Sequence, residues 1–161
     1  MNRRKEMKVE IGPYTDNDEN RVVNIEIDDY DLWNVDSTLT LIIHPILVKF
    51  RDSKRMGFFT VMNEDLPDEL QVDEKKLYSY SSNAEERVSE EMLSKREIYI
   101  LNEMIYAFEN IKNNFEMDVL WDEYDSGKIS KEEFMKKVDL HENRKQNGLH
   151  LFGKYFQSLW N

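Results

Sequence analysis

The chain has 161 residues, 40% of them hydrophobic and 34% charged, and its 22 basic and 33 acidic side chains leave a net charge of −11. That length sustains a hydrophobic core in one domain, and the composition excludes a disordered chain. The acidic balance opposes nonspecific binding to nucleic acid and to anionic membranes, and with no cysteine there are no disulfides, thiolate metal sites or Cys nucleophiles.

MNRRKEMKVE is charged from its start and no apolar stretch of signal-peptide type follows, so a cytoplasmic protein is expected. MKVEIG and VVNIEID alternate apolar and polar residues as half-buried strands do, with PYTDNDEN between them as turn material. An antiparallel β pair within residues 1–30 is therefore expected. Two strands alone are marginal in water and need cover.

A helix is expected over 36–55, opened by Asp36 as its cap. Leu39, Ile42, Ile43, Ile46, Leu47 and Phe50 give it a broad apolar surface, which implies deep packing, and Pro45 implies a kink near His44. The run LTLIIHPILVKF within it is too short to span a bilayer. Residues 71–89 are polar and mixed, and a mobile segment is expected there.

A second long helix follows over 90–113, with Ile98, Leu101, Met104, Ile105 and Phe108 as its main apolar face and Tyr99 and Tyr106 widening it. After a turn at Asp122–Gly127, a third occupies 130–160. The fold expected is α+β and mainly α: a small N-terminal antiparallel β pair packed on about three long helices in a single domain.

WDEYDSGKISKEEF comes close to a calcium loop, with Asp122 first, Gly127 sixth and Glu133 twelfth. Tyr124 in the third position is a poor ligand, and no second loop pairs with it. A turn at Asp125-Ser126-Gly127 followed by a Ser130/Glu133 capping box explains the same residues better.

The closing helix carries polar residues where a plain packing helix has Leu or Ala. At about 100° per residue, positions 141, 144, 148, 152, 155 and 159 share one face. His141, Arg144 and Gly148 thus precede Phe152, Tyr155 and Leu159 along it, with Asn147 flanking. A buried Arg144 needs a carboxylate, a ligand anion or water. Two readings coexist: an ion pair to Glu103 on the neighbouring helix, and an anion clamp in which Gly148 lets a ligand approach the backbone. Thr38, His44 and Lys154 are further polar groups in apolar surroundings. Trp33 and Trp160 offer planar faces for a base.

There is no nucleophile elbow, phosphate-binding glycine loop or HExxH, and the three histidines lack ligand spacing. No catalytic residue, metal or cofactor is therefore expected.

Four blocks in order, YDLWNVDSTLTLIIHPILVKF, EDLPDEL, LNEMIYAFE and HENRKQNGLHLFGKYFQSLW, resemble a widespread family of small tailed-phage proteins of uncharacterised function. They cover about half the chain, and the last is the most specific. The family pattern carries His where this chain has Ser37. The resemblance implies a phage origin and expression in a bacterial cytoplasm. Asp36, Thr38, His44, Glu103, His141, Arg144, Asn147 and Lys154 fall inside the matching blocks. With Trp33 and Tyr155 they form the expected ligand site. The expected function is non-enzymatic binding of a small anionic ligand, a nucleotide above all, for instance to sequester a host immune signal. The rivals are an acidic inhibitor of a host enzyme and a metal-assisted hydrolase; a homodimer is compatible with the aromatic helix surfaces.

Overall fold

The computed structural model describes residues 7–13, 21–54, 56–79 and 83–160. The protein is mainly helical with one antiparallel pair of strands, as its periodicities imply. Its backbone clusters into two compact units, Met1–Leu39 and Thr40–Asn161, with the boundary inside the first long helix. Among the described residues no helix is long and apolar enough to cross a membrane.

In the first unit, β1 (Lys8–Ile11) pairs with β2 (Val23–Glu26), Lys8 opposite Glu26 and Ile11 opposite Val23. The alternation puts Val9, Ile11, Val23 and Ile25 on one face of the ribbon. Most of the expected turn, residues 14–20, lies outside the described residues, as do residues 1–6. A tight 3-10 turn, Asp29–Leu32, is closed by a reciprocal cap between Asp28 and Asp31.

Helix α1 (Val35–Asp52) starts one residue before Asp36. Asp36 is thus no cap: it lies in the first turn, where its charge still favours the helix dipole. Pro45 sits within α1 without ending it. Nor is α1 deeply packed along all of its apolar surface, for Leu47 is buried while Leu39 and Ile46 stand exposed.

In the second unit, Gly57–Met62 runs without helix or ladder partner, and two 3-10 turns follow at Asn63–Asp65 and Asp68–Leu70. Residues 71–89 hold a short helix, α2 (Glu74–Leu77), and a 3-10 turn at Ala84–Glu86; residues 80–82 lie outside the described set.

Helix α3 (Glu90–Lys112), capped by Ser89, is the centre of the core. Its buried side chains include Ile100, Leu101, Met104, Ala107 and Phe108, whereas Ile98 is exposed. Burial also reaches Arg96 and Glu97, which the periodicity did not flag. Arg96 is 1% exposed and donates to the carbonyls of Val61 (2.6 Å) and Leu70 and to Asn63 Oδ1 (2.9 Å). It ties the irregular 61–70 segment to α3, so backbone acceptors that no ladder pairs are satisfied by a side chain.

Helix α4 (Phe115–Asp125) and helix α5 (Lys131–Tyr155) complete the unit. Ser130 and Glu133 form the expected capping box, and Gly127 takes the left-handed conformation (φ 72°) that turns the chain between α4 and α5. Asp122 and Tyr124 are helical, so the calcium-like loop does not form as a loop at its first positions.

Candidate functional site

Phe134, His141, Gly148 and Tyr155 repeat every seventh residue along α5 and are all buried. At Gly148 this stripe meets α3. A Cβ at Gly148 would stand 2.2 Å from the carbonyl oxygen of Glu103 and 2.7 Å from Cβ of Ala107. Gly148 therefore admits a neighbouring helix, not a ligand, which corrects the role expected for it. At the other end of α5, Phe134 stacks on Tyr124 (4.9 Å) and packs against Trp121 (4.7 Å), fixing α4.

Between α3, α4 and α5 these contacts leave an open cleft of about 470 Å³. Phe115, Val119, Leu120 and Leu140 make its walls apolar, and Tyr106, Glu116, Lys137, His141 and Arg144 supply its polar groups. On α5 the lining residues are Lys137, Leu140, His141 and Arg144, the three- and four-residue spacing of one helix face.

The polar groups form one network. Arg144 donates from Nε and Nη2 to both oxygens of Glu103, at 3.0 and 2.7 Å for the closest contacts, and its Cζ lies 3.7 Å from the centre of the Tyr106 ring. Glu103 is nearly buried (side chain 9% exposed) while Arg144 is half exposed (49%). Its Nη1 has no hydrogen-bond partner among the described residues. The Glu103 carboxylate, against the opposing effect of burial, raises the guanidinium pKa further, so this cation is permanent.

Tyr106 donates its hydroxyl proton to Glu116 Oε2 (2.6 Å) and lies 2.9 Å from His141 Nδ1, which is itself 3.1 Å from Glu116 Oε2. With the phenol proton directed at the carboxylate, His141 Nδ1 is the donor in these contacts. Its Nε2 is buried and without a partner among the described residues. Burial first, then the Glu116 carboxylate, pushes the Tyr106 hydroxyl up to about 12. The same hydrogen bond holds the Glu116 carboxyl below its ordinary range, against burial and with help from His141.

The Tyr106 phenol stays protonated at neutral pH, and His141 Nε2 is buried. The arrangement offers shape, an apolar wall and a held cation.

Of the residues expected to line a site, Glu103, His141 and Arg144 come together here, Glu103 behind Arg144. The others are elsewhere. His44 pairs through Nε2 with Glu109 at 2.7 Å, the satisfied histidine of a half-buried helix face. Asn147 is exposed. Lys154 and Tyr155 form a separate cluster: Lys154 bonds Glu64 (2.6 Å) and Asp65 (2.7 Å), and the Tyr155 hydroxyl donates to Asp65 while accepting from the Met62 N–H. Ten and eleven residues beyond Arg144, they lie about 15 Å or more further along the axis of α5. Trp33, Asp36 and Thr38 belong to the first unit, where Trp33 stacks on Tyr30 (4.8 Å) and Thr38 donates to the Asp31 carbonyl.

Sequence reasoning missed Tyr106, Glu116, Lys137 and the whole of α4 as contributors. The signal was present: Met117, Leu120 and Tyr124 follow one another at helical spacing, and Lys137 sits one turn before His141 on the same face.

Comparison with protein-family models, with curated proteins and with solved structures finds no match to this chain. Fold and cleft alone define its class: a mainly helical protein with an amphipathic cleft among three helices.

Proposed function

We propose that this is a non-enzymatic binding protein whose α3–α4–α5 cleft holds a small ligand with an apolar or planar body and one anionic group. The observation that carries the reading is Arg144, oriented by Glu103, flattened on Tyr106, and left with an unpaired Nη1 edge beside an apolar wall. A concave, mostly apolar site with a few convergent polar groups is the usual form of a small-molecule site. Glu116 on the cleft and the net charge of −11 disfavour polyanions, so the nucleotide class we favour is one of low charge, such as a cyclic or monophosphate form. Taken with the phage resemblance, the use of such a holder would be to sequester a nucleotide signal of the host.

The test is a thermal-melt scan of the purified protein against nucleoside monophosphates, cyclic dinucleotides and ADP-ribose derivatives. A ligand present at about a hundred times its dissociation constant adds about 2.7 kcal/mol to stability. The expected result is a rise in melting temperature with one nucleotide class that Arg144→Gln removes. A flat response to every nucleotide would sink the nucleotide assignment.

A second reading has its own support. Phe115 and Leu140 stand at the rim of the same cleft 72% and 60% exposed, as anchors for an apolar side chain of a protein partner do. That reading expects partner capture that ignores Arg144→Gln and fails in Leu140→Ser.

A further inference from the structure

Gly57–Met62 alternates with a period of two: Phe58, Thr60 and Met62 are exposed, Phe59 and Val61 buried. In an extended chain the N–H and C=O of one residue point to one edge and those of the next to the other. On the edge formed by Phe59 and Val61, α3 takes two groups: Glu97 accepts the Phe59 N–H (3.1 Å) and Arg96 donates to the Val61 carbonyl (2.6 Å). On the opposite edge Tyr155 accepts the Met62 N–H and ends the run. Before it, the N–H and C=O groups of Phe58 and Thr60 make no hydrogen bond among the described residues. A single strand thus stands with one edge fixed by side chains and the other bare.

Two cavities share Met56, Gly57 and Phe58 as a common wall. One, of about 350 Å³, is completed by Lys76, Arg87 and Glu90; the other, of about 220 Å³, by Phe59 and Trp160. Lys76 donates to the Glu85 carbonyl, whereas Arg87 has no hydrogen bond or ion pair among the described residues. With two cations against one carboxylate, the larger cavity suits an acidic side chain. The smaller suits an apolar or aromatic one.

We propose that the bare edge of Gly57–Thr60 is a docking site for an extended peptide segment of a partner protein, which adds as a strand and alternates acidic with apolar side chains. Main-chain hydrogen bonds to Phe58 and Thr60 hold the peptide, and the two cavities read its alternate side chains, which project to opposite faces of an added strand. An unpaired strand edge is a template for such addition. The site shares no residue with the α3–α4–α5 cleft and does not rest on the function proposed for it.

The experiment is fluorescence anisotropy of a short dye-labelled peptide alternating Glu with Val and Leu, titrated with the whole protein. Two further versions carry N-methyl groups on alternate amides, one version for each edge of the peptide strand. The expected result is that the unmodified peptide binds, that methylation of one edge abolishes binding, and that methylation of the other leaves it. Arg87→Glu, a change at an exposed residue, is expected to weaken binding about tenfold or more. The proposal is overturned if the peptide does not bind up to about 1 mM, if both methylated versions bind alike, or if a Lys-for-Glu peptide binds as well as the original.

Discussion

The crossing of α3 and α5 at Gly148 sets the geometry of the cleft, and Gly148→Ala tests it most directly. The added Cβ would lie 2.2 Å from a backbone oxygen and 2.7 Å from the Ala107 methyl. Carbon and oxygen rest well beyond 3 Å, so the helices must part by about 1 Å. In an exposed helix the change would gain about 1 kcal/mol of helix propensity. Overpacking costs about 1–3 kcal/mol, and a clash with backbone, which no rotamer relieves, belongs at or above the top of that range. The expected net loss is about 2 kcal/mol. For a chain of this size that lowers the melting temperature by about 4–8 °C, measured by circular dichroism. The struck carbonyl belongs to Glu103, so the variant should also loosen the Arg144 clamp. Adding Ala107→Gly removes the second contact and leaves the first, so it should not restore stability. A Gly148→Ala protein that melts at or above the parent temperature would refute the close crossing.

Three further outcomes follow from the same geometry. Arg96→Met strands the buried Val61 carbonyl and the part-buried Leu70 carbonyl and leaves the Asn63 amide oxygen with the Val72 N–H alone, and should cost about 3 kcal/mol in urea denaturation, with new protease cleavage between residues 61 and 72. Ser130→Ala removes the cap of α5 and should cost about 1 kcal/mol, read as a lower urea midpoint at unchanged slope. The Glu116 carboxyl, held below its ordinary value of 4.5, contributes stability that is complete above about that pH and is lost as the pH falls through the lowered value. Tyr106→Phe removes the largest cause of that lowering, so its stability should depend less on pH in this acid window, followed by ellipticity.

How legible was all this from residues alone? Helices with strong signals were: the apolar spacing marks α3, and the Ser130/Glu133 capping box opens α5. The β pair followed from alternation and from the turn residues between the two runs. What was lost was lost for a physical reason. Helix α4 is short and its apolar residues split between the core and the cleft, so its periodicity is diluted. Ile98 and Ile46 were placed inward because composition gives the face of a helix, not the width of what covers it. Arg96 and Glu97 drew no notice because charged residues usually lie at the surface; their burial depends on an irregular segment that supplies acceptors and donors no pattern announces. In the site, Arg144 and Glu103 were found because an arginine on an apolar face demands a partner. Gly148 was misread because a missing side chain leaves the same gap for a ligand and for a helix.

The ion pair makes Arg144 a poor target when changed alone, and the proper test is a set of three variants. Removing the guanidinium strands Glu103, whose carboxylate is 9% exposed, so Arg144→Gln should lose stability whether or not a ligand binds there. Arg144 itself is 49% exposed, which tempers the effect to about 1–2 kcal/mol. Glu103→Gln leaves a cation that water can still reach and should cost less. Changing both leaves two neutral amides able to bond one another, and should recover most of the stability. Ligand binding is expected to divide the set differently: absent in Arg144→Gln and in the double variant, weakened but present in Glu103→Gln, since that protein keeps the cation and loses its orientation. If binding instead tracked stability across all three, returning in the double variant, Arg144 would be a packing residue and the anion clamp would be wrong.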